Sequence, residues 1–218
     1  MKLASQQTQR FKPHWLPLVT QGGILLYLVL VVTLHVLRPD YTPLFHAESD
    51  FAVGPFSFLM TIAFVVRGLL SLALLPVLWP LAASTSMRRH PGLLSLTLWG
   101  IGSLLLACFP TDLEGTTHHT LHGGLHLLLA VIAFTGMLVA TFRLPRLFER
   151  DWRATLSGRG LSIIAWLMLI AFVTMFTAIG IEMGQHSSGY FGLFERIFIG
   201  LSLLWLWLVA HHLRKTSA

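Results

Sequence analysis

The sequence predicts an all-α membrane protein of six transmembrane helices with both termini in the cytoplasm (N-in/C-in). Three observations carry that expectation. Of 218 residues, 55% are hydrophobic and only 11% charged, against roughly a quarter charged in an ordinary soluble domain. Six apolar runs approach or exceed the length of about 20 residues that a helix needs to cross a bilayer. The Lys and Arg residues gather in alternate loops between those runs. A mean hydropathy of +0.72 excludes a disordered chain, a collagen-like repeat and an ordinary soluble domain. The single cysteine, Cys108, excludes an internal disulfide and a multi-cysteine zinc site. The net charge of +6 does not point to nucleic acid, because the basic residues lie in short loops rather than on one soluble face.

The first run, 18–37, contains no acid, Lys or Arg. Residues 1–17 precede it as a cytoplasmic segment. The Arg38-Pro39-Asp40-Tyr41 stretch after it is no small-residue cleavage site, so the helix is expected to be retained. The second run, 55–82, holds one charge, Arg67. The third, 92–109, stops at Phe109-Pro110. The fourth, 118–142, opens in a histidine cluster, with Thr116 or Thr117 as the expected N-cap. The fifth covers 160–181. The sixth, 190–212, carries Glu195 and Arg196 in its outer third, and a short tail, 213–218, follows. The bundle is thus 18–212. All six runs are too long and too little alternating for strands.

Orientation follows from charge. Twelve of the fifteen Lys/Arg fall in the N-terminus, the 83–91 loop, the 143–159 loop and the tail. The loops 39–54, 110–117 and 182–189 have none. The positive-inside rule assigns the first set to the cytoplasm. Seven of the nine acids gather at the other face: Asp40, Glu48, Asp50, Asp112, Glu114, Glu182 and Glu195. Seven histidines join them there. A plasma membrane is the expected location.

The densest group of chemically capable residues is Asp112, His118, His119, His122 and His126. On one helix, positions 119, 122 and 126 fall within about 60° of arc. His122 and His126, four residues apart, form a usable metal pair, with His119 in reserve and Asp112 as a ligand or as an acceptor that fixes an imidazole. Histidines that hydrogen-bond across helices are the blander alternative. Arg67 lies roughly 18 Å beyond Pro55 at 1.5 Å per residue, near the midplane, where a charge needs a partner. Glu195 is the expected one, and a polar cavity for a lipid headgroup or anion is the functional alternative to a structural ion pair. The loop with His46, Glu48 and Asp50 is expected to be solvated or interfacial, with a ligand-supplying lid as the alternative. Trp99, Trp166 and Trp205 are expected to pack inside the bundle.

Phe109-Pro110-Thr111-Asp112, His122-Gly123-Gly124-Leu125-His126 and Gly192-Leu193-Phe194-Glu195-Arg196 together resemble the bacterial and archaeal domain-of-unknown-function family 998. Phe51-Ala52-Val53-Gly54-Pro55, leading through Phe64 and Gly68, resembles that family's second helix. The likeness covers about 40–210. It implies six spans, similar to the Frag/DRAM/Sfk group of membrane proteins, and no established activity. An outer-face Asp with His-x-x-x-His in a helical bundle also looks like the zinc site of alkaline ceramidases and adiponectin receptors. Those proteins have seven helices and a third histidine. Here the third ligand stays open among His119, His46 and His35.

Three functional readings follow. One is a zinc-dependent intramembrane hydrolase acting on a lipid or amide, with Asp112, Glu195 and Arg196 in the chemistry and His122, His126, His119 and Asp112 on the metal. Another is a non-catalytic lipid-binding or partner-stabilising subunit. The third is a haem-b electron carrier with, for example, His35 and His126 as axial ligands. The bilayer is the expected partner, and no protein partner is legible.

Overall fold

The computed structural model describes residues 15–83, 90–112, 120–148, 155–185 and 190–217. It is all-helical, with no strand among the described residues. The helices are α1 Leu16–Leu37, α2 Ser57–Leu72, α3 Leu75–Ala83, α4 Pro91–Leu106, α5 Leu121–Arg143, α6 Leu156–Gln185 and α7 Phe191–Ser217. α2 and α3 form one interrupted span. The break has a local cause: Pro76 cannot donate to the Leu72 carbonyl and its ring crowds that group.

Five segments are long and apolar enough to cross a membrane: Leu16–Leu37, Ser57–Ala82, Leu121–Leu147, Gly158–Ala178 and Phe191–Thr216. Pro91–Leu106 is a shorter apolar helix. The chain is therefore a multi-pass integral membrane protein. Its apolar surface faces outward as well as inward, as lipid requires. Val36, Leu94 and Ile170 are exposed, while Trp99, Trp205 and Leu34 are fully buried. Trp166 departs from the expected packing role. It is exposed on α6, with its ring edge-on to Phe142 at 5.3 Å. An amphipathic ring can face lipid without leaving a large desolvated gap inside.

The helix register is up and down. Thr20 of α1 donates to the Leu70 carbonyl of α2. Gly68 of α2 lies against Gly100 and Leu104 of α4. Gly92 and Gly102 of α4 meet Leu144 and Ala133 along α5. Arg214 and Arg196 of α7 meet Gln21 and His35 of α1. All four pairings are antiparallel. One end of the bundle thus gathers the start of α1, the start of α4 and the end of α7. The opposite end holds the C-terminus of α1 and the N-termini of α2, α5 and α7.

The connection from α1 to α2, residues 38–56, lies at that second end and does not float on it. Its short 3-10 turn, Glu48–Ala52, buries Glu48 at 3% and Phe51 at 0% exposure. Through Glu48 and Phe51, the loop expected to be solvated or interfacial forms a strap packed into this end of the bundle. Phe51 supplies the reason, because its ring packs edge-on against His35 at 4.9 Å and Tyr41 at 5.5 Å.

Candidate functional site

Arg67 lies ten residues into α2, about 15 Å from its start, and is 1% exposed. Its Nε donates to Ser103 Oγ at 3.1 Å, and one terminal nitrogen donates to Tyr27 Oη at 3.4 Å. Three aromatic faces complete its surroundings, with Trp99 at 4.9 Å, Phe64 at 5.1 Å and Tyr27 at 5.9 Å from the guanidinium carbon. Such faces attract a cation through their quadrupoles. Trp99 is itself held by a bond from its indole nitrogen to Ser71 Oγ at 3.0 Å.

The expected Arg67–Glu195 pair is not formed. Among the described residues no carboxylate oxygen lies within ion-pair distance of Arg67. The physical reason is depth. Glu195 is four residues into α7, about 6 Å from its start, so it sits well above Arg67. A chain of groups bridges the gap. Tyr27 donates its hydroxyl hydrogen to Glu48 Oε1, and the Glu48 backbone N–H donates to Glu195 Oε2 at 2.5 Å. Two buried carboxylates, a tyrosine and a buried arginine thus form one connected polar line, which ends at Ser103.

α7 holds the strap in place. Gly192 is where they touch: a Cβ there would run into the His46 carbonyl. The Gly192 and Leu193 N–H groups, unpaired within a helix's first turn, donate to Phe45 and Leu44 carbonyls at 3.3 and 3.1 Å. Arg196 donates to the carbonyls of Pro43 (3.1 Å), His46 (2.6 Å) and Gly192 (3.0 Å). Its Nε donates to His35 Nε2 at 3.3 Å. His35 Nδ1 faces the Val31 carbonyl at 2.8 Å, which fixes the tautomer that leaves Nε2 as an acceptor. The second terminal nitrogen of Arg196 is buried without a partner among the described residues. Glu195 and Arg196, assigned by sequence to chemistry, are here strap-holding groups on neighbouring faces of α7.

Arg38 anchors the other end of the strap. It donates to Val53 and Pro55 carbonyls at 3.0 and 3.1 Å and pairs with Asp40 at 2.7 Å. The hydrogen bonds from Arg38 hold the Asp40 carboxyl below its usual range.

The Asp/His group is arranged differently from its expected form. Asp112 accepts from the Thr120 N–H at 3.0 Å and the Thr120 hydroxyl at 2.5 Å. Thr120, rather than Thr116 or Thr117, is the N-cap of α5, accepting from Gly123 N–H at 3.1 Å. A Cβ on Gly123 would collide with the Asp112 carboxylate, so this glycine lets the acid sit on the helix start. His126 is buried, its Nδ1 facing the Phe109 carbonyl at 2.6 Å. His122 is exposed, its ring 5.7 Å from that of Phe109. Among the described residues no three His, Cys, Asp or Glu side chains come close enough to hold a metal ion. His118 and His119, with Glu114 and His186, lie outside the described residues, as does the Glu182 side chain. Asp112 is hydrogen-bonded to Thr120, and His126 lies against the Phe64 ring, which also faces the Arg67 guanidinium.

Tyr27 and Ser103 are the members the sequence reading does not name, and Glu48 enters it only as part of the first outer loop. Tyr27 and Ser103 are polar interruptions of apolar runs, a signal that was present. Nothing in the spacing of Glu48 marks it as buried.

A family model described as protein of unknown function (DUF998) matches residues 22–212. No curated protein and no solved structure matches the chain.

Proposed function

The chain belongs to the DUF998 family, and we propose that it is a non-catalytic membrane protein that binds an anionic lipid at Arg67. The observation that carries this reading is a permanently charged guanidinium deep in an apolar bundle, met by hydroxyls and aromatic faces rather than by a carboxylate. Arginine cannot shed its charge in a protein, and an ionisable group inside a membrane marks a binding or transport site by default. A phosphate or carboxylate headgroup would supply the direct ionic contact that Arg67 lacks, through a charge-assisted, forked contact. Tyr27 and Ser103 preset the direction of the guanidinium.

The topology belongs to the same reading: six crossings, both termini cytoplasmic, in the plasma membrane. The length of the third crossing supports six. α4 alone has 16 residues, about 24 Å, but the segment after it continues along α5, with Phe109 at His126 and Asp112 at Thr120. Residues 91–112 thus run the full length of α5.

The test uses purified full-length protein in detergent. Phosphatidylglycerol should raise its thermal midpoint, phosphatidylcholine should not, and Arg67→Gln should abolish the difference. Equal shifts from both lipids, or a phosphatidylglycerol shift that survives Arg67→Gln, would overturn the reading.

A second reading, the zinc-dependent hydrolase, keeps one supporting observation. The Phe109 carbonyl fixes His126 through Nδ1, the contact by which a metal-binding histidine is commonly oriented. It requires His119 or another residue to complete the site. Elemental analysis decides it: about one zinc per chain, lost in His126→Ala, would favour it over lipid binding alone. For a haem carrier, the His35 Nε2 contact with Arg196 would have to be given up. A Soret band in purified protein would establish that case.

A further inference from the structure

Among the described residues, Glu48 is the carboxylate that a loop carries into the bundle. Its side-chain carboxylate accepts from the Tyr27 hydroxyl, and that same hydroxyl oxygen accepts from Arg67. An acid thus stands one hydrogen bond from the buried cation, where the headgroup of a bound lipid would stand. Resting on the lipid reading above, we infer that Glu48 is a built-in competitor, whose carboxylate holds the place of the lipid phosphate until the lipid displaces it.

Three features make this exchange physically reasonable. It conserves charge, since one anion leaves the interior as another enters, so no buried arginine is stranded. The strap is fixed at its two flanks and inserted in its middle. Arg196 grips the carbonyls of Pro43 and His46, and Arg38 those of Val53 and Pro55. The turn between them reaches the polar line through Glu48, by its carboxylate and its N–H. Finally, the chain leaves the strap through Gly54 at φ 80° and Phe56 at φ 60°. A left-handed phenylalanine is a strained junction, placed where the turn would swing.

A protein whose site is filled by its own side chain shows a ligand affinity reduced by the fraction of time the site is open. Removing the competing charge should therefore tighten binding. Glu48→Gln keeps an acceptor for Tyr27 while deleting the charge. It should strengthen binding of short-chain phosphatidylglycerol by about tenfold, as expected if the open fraction rises from roughly a tenth toward one. An independent readout leaves Glu48 in place. In a Cys108→Ser background, Ala52→Cys sits on the turn and is half-buried. Its maleimide labelling should accelerate on adding phosphatidylglycerol and stay unchanged with phosphatidylcholine.

The arms separate the two ideas. Phosphatidylglycerol binding that ignores Arg67→Gln sinks the lipid site itself. Binding that depends on Arg67, but is unchanged or weakened by Glu48→Gln with no change in labelling at position 52, keeps the lipid site and overturns the competitor. Inorganic phosphate that accelerates labelling as well as the lipid does would overturn the assignment to a lipid headgroup and give the site to a free anion.

Discussion

His90 shows what one residue contributes at the basic end of the bundle. It caps α4, accepting the Gly92 N–H through Nδ1 at 3.2 Å. Burial first, and then the neighbouring Arg146 and Arg143, hold its pKa below the ordinary value. The folded state thus binds a proton less readily than the unfolded chain. The resulting stabilisation is complete above the unfolded pKa of about 6.5 and is lost as pH falls below it toward the lowered folded value. Thermal midpoints measured from pH 8 to pH 5 should decline across that window. In His90→Asn, which keeps a capping acceptor, the decline should be smaller. An identical pH profile for both proteins would show that His90 does not carry the effect. His90→Ala, lacking the cap as well, should lose about 1 kcal/mol even at pH 8. At this scale the sequence was only partly readable. Arg67 was marked by its isolation in an apolar run, yet its contacts were not, because Tyr27 and Ser103 come from other helices and a linear chain does not display helix depth. Asp112 and His126 were singled out as one site, but the contacts each makes are with Thr120 and the Phe109 carbonyl, as local as a cap and a helix end.

The strap and α7 form the element on which the candidate site depends. At Gly192 they meet backbone to backbone, an approach that only a residue without a Cβ allows. Gly192→Ala should therefore push the strap off α7 and destabilise the protein by about 1–3 kcal/mol, the usual range for an overpacked contact. Gly200, two turns further along α7, has open space within 4 Å of the point a methyl group would occupy, and Gly200→Ala should gain about 0.5–1 kcal/mol through helix propensity. Unfolding in a denaturing detergent series compares them, and equal shifts in the two variants would remove the close approach as the reason for Gly192. Helices were the legible elements. Apolar runs such as 18–37 and 190–212 match Leu16–Leu37 and Phe191–Ser217 closely at their starts, because length and hydropathy alone decide a span. The strap was not legible. Leu44, Phe45 and Phe51 are too few and too irregularly spaced to announce burial, and the acids among them suggest water.

For the whole molecule, the decisive quantity is the parity of crossings. If α4 crosses, Arg88 and Glu114 lie on opposite sides of the membrane and both termini share one side. If α4 only enters and returns, Arg88 and Glu114 share a side, and every later loop inverts. The antiparallel register favours a crossing, since α4 and the segment after it match α5 from Gly92 at Leu144 to Asp112 at Thr120. The approach of the α7 end to the α1 start, through Arg214 and Gln21, requires an even count if both helices span. The proposed sign rests on charge, because the sequence segments that precede α1 and α4, link α5 to α6 and end the chain hold twelve of the fifteen Lys and Arg. Single-cysteine variants Arg88→Cys, Glu114→Cys and Arg153→Cys in a Cys108→Ser background test both at once in intact cells. A membrane-impermeant maleimide should reach position 114 from outside and positions 88 and 153 only after lysis. Labelling of 88 and 114 from the same side would reduce the crossings to five, and labelling of 88 and 153 from outside would keep six but invert the protein. In the second case the Arg67 site would open toward the cytoplasmic leaflet, where anionic lipids concentrate in many cells.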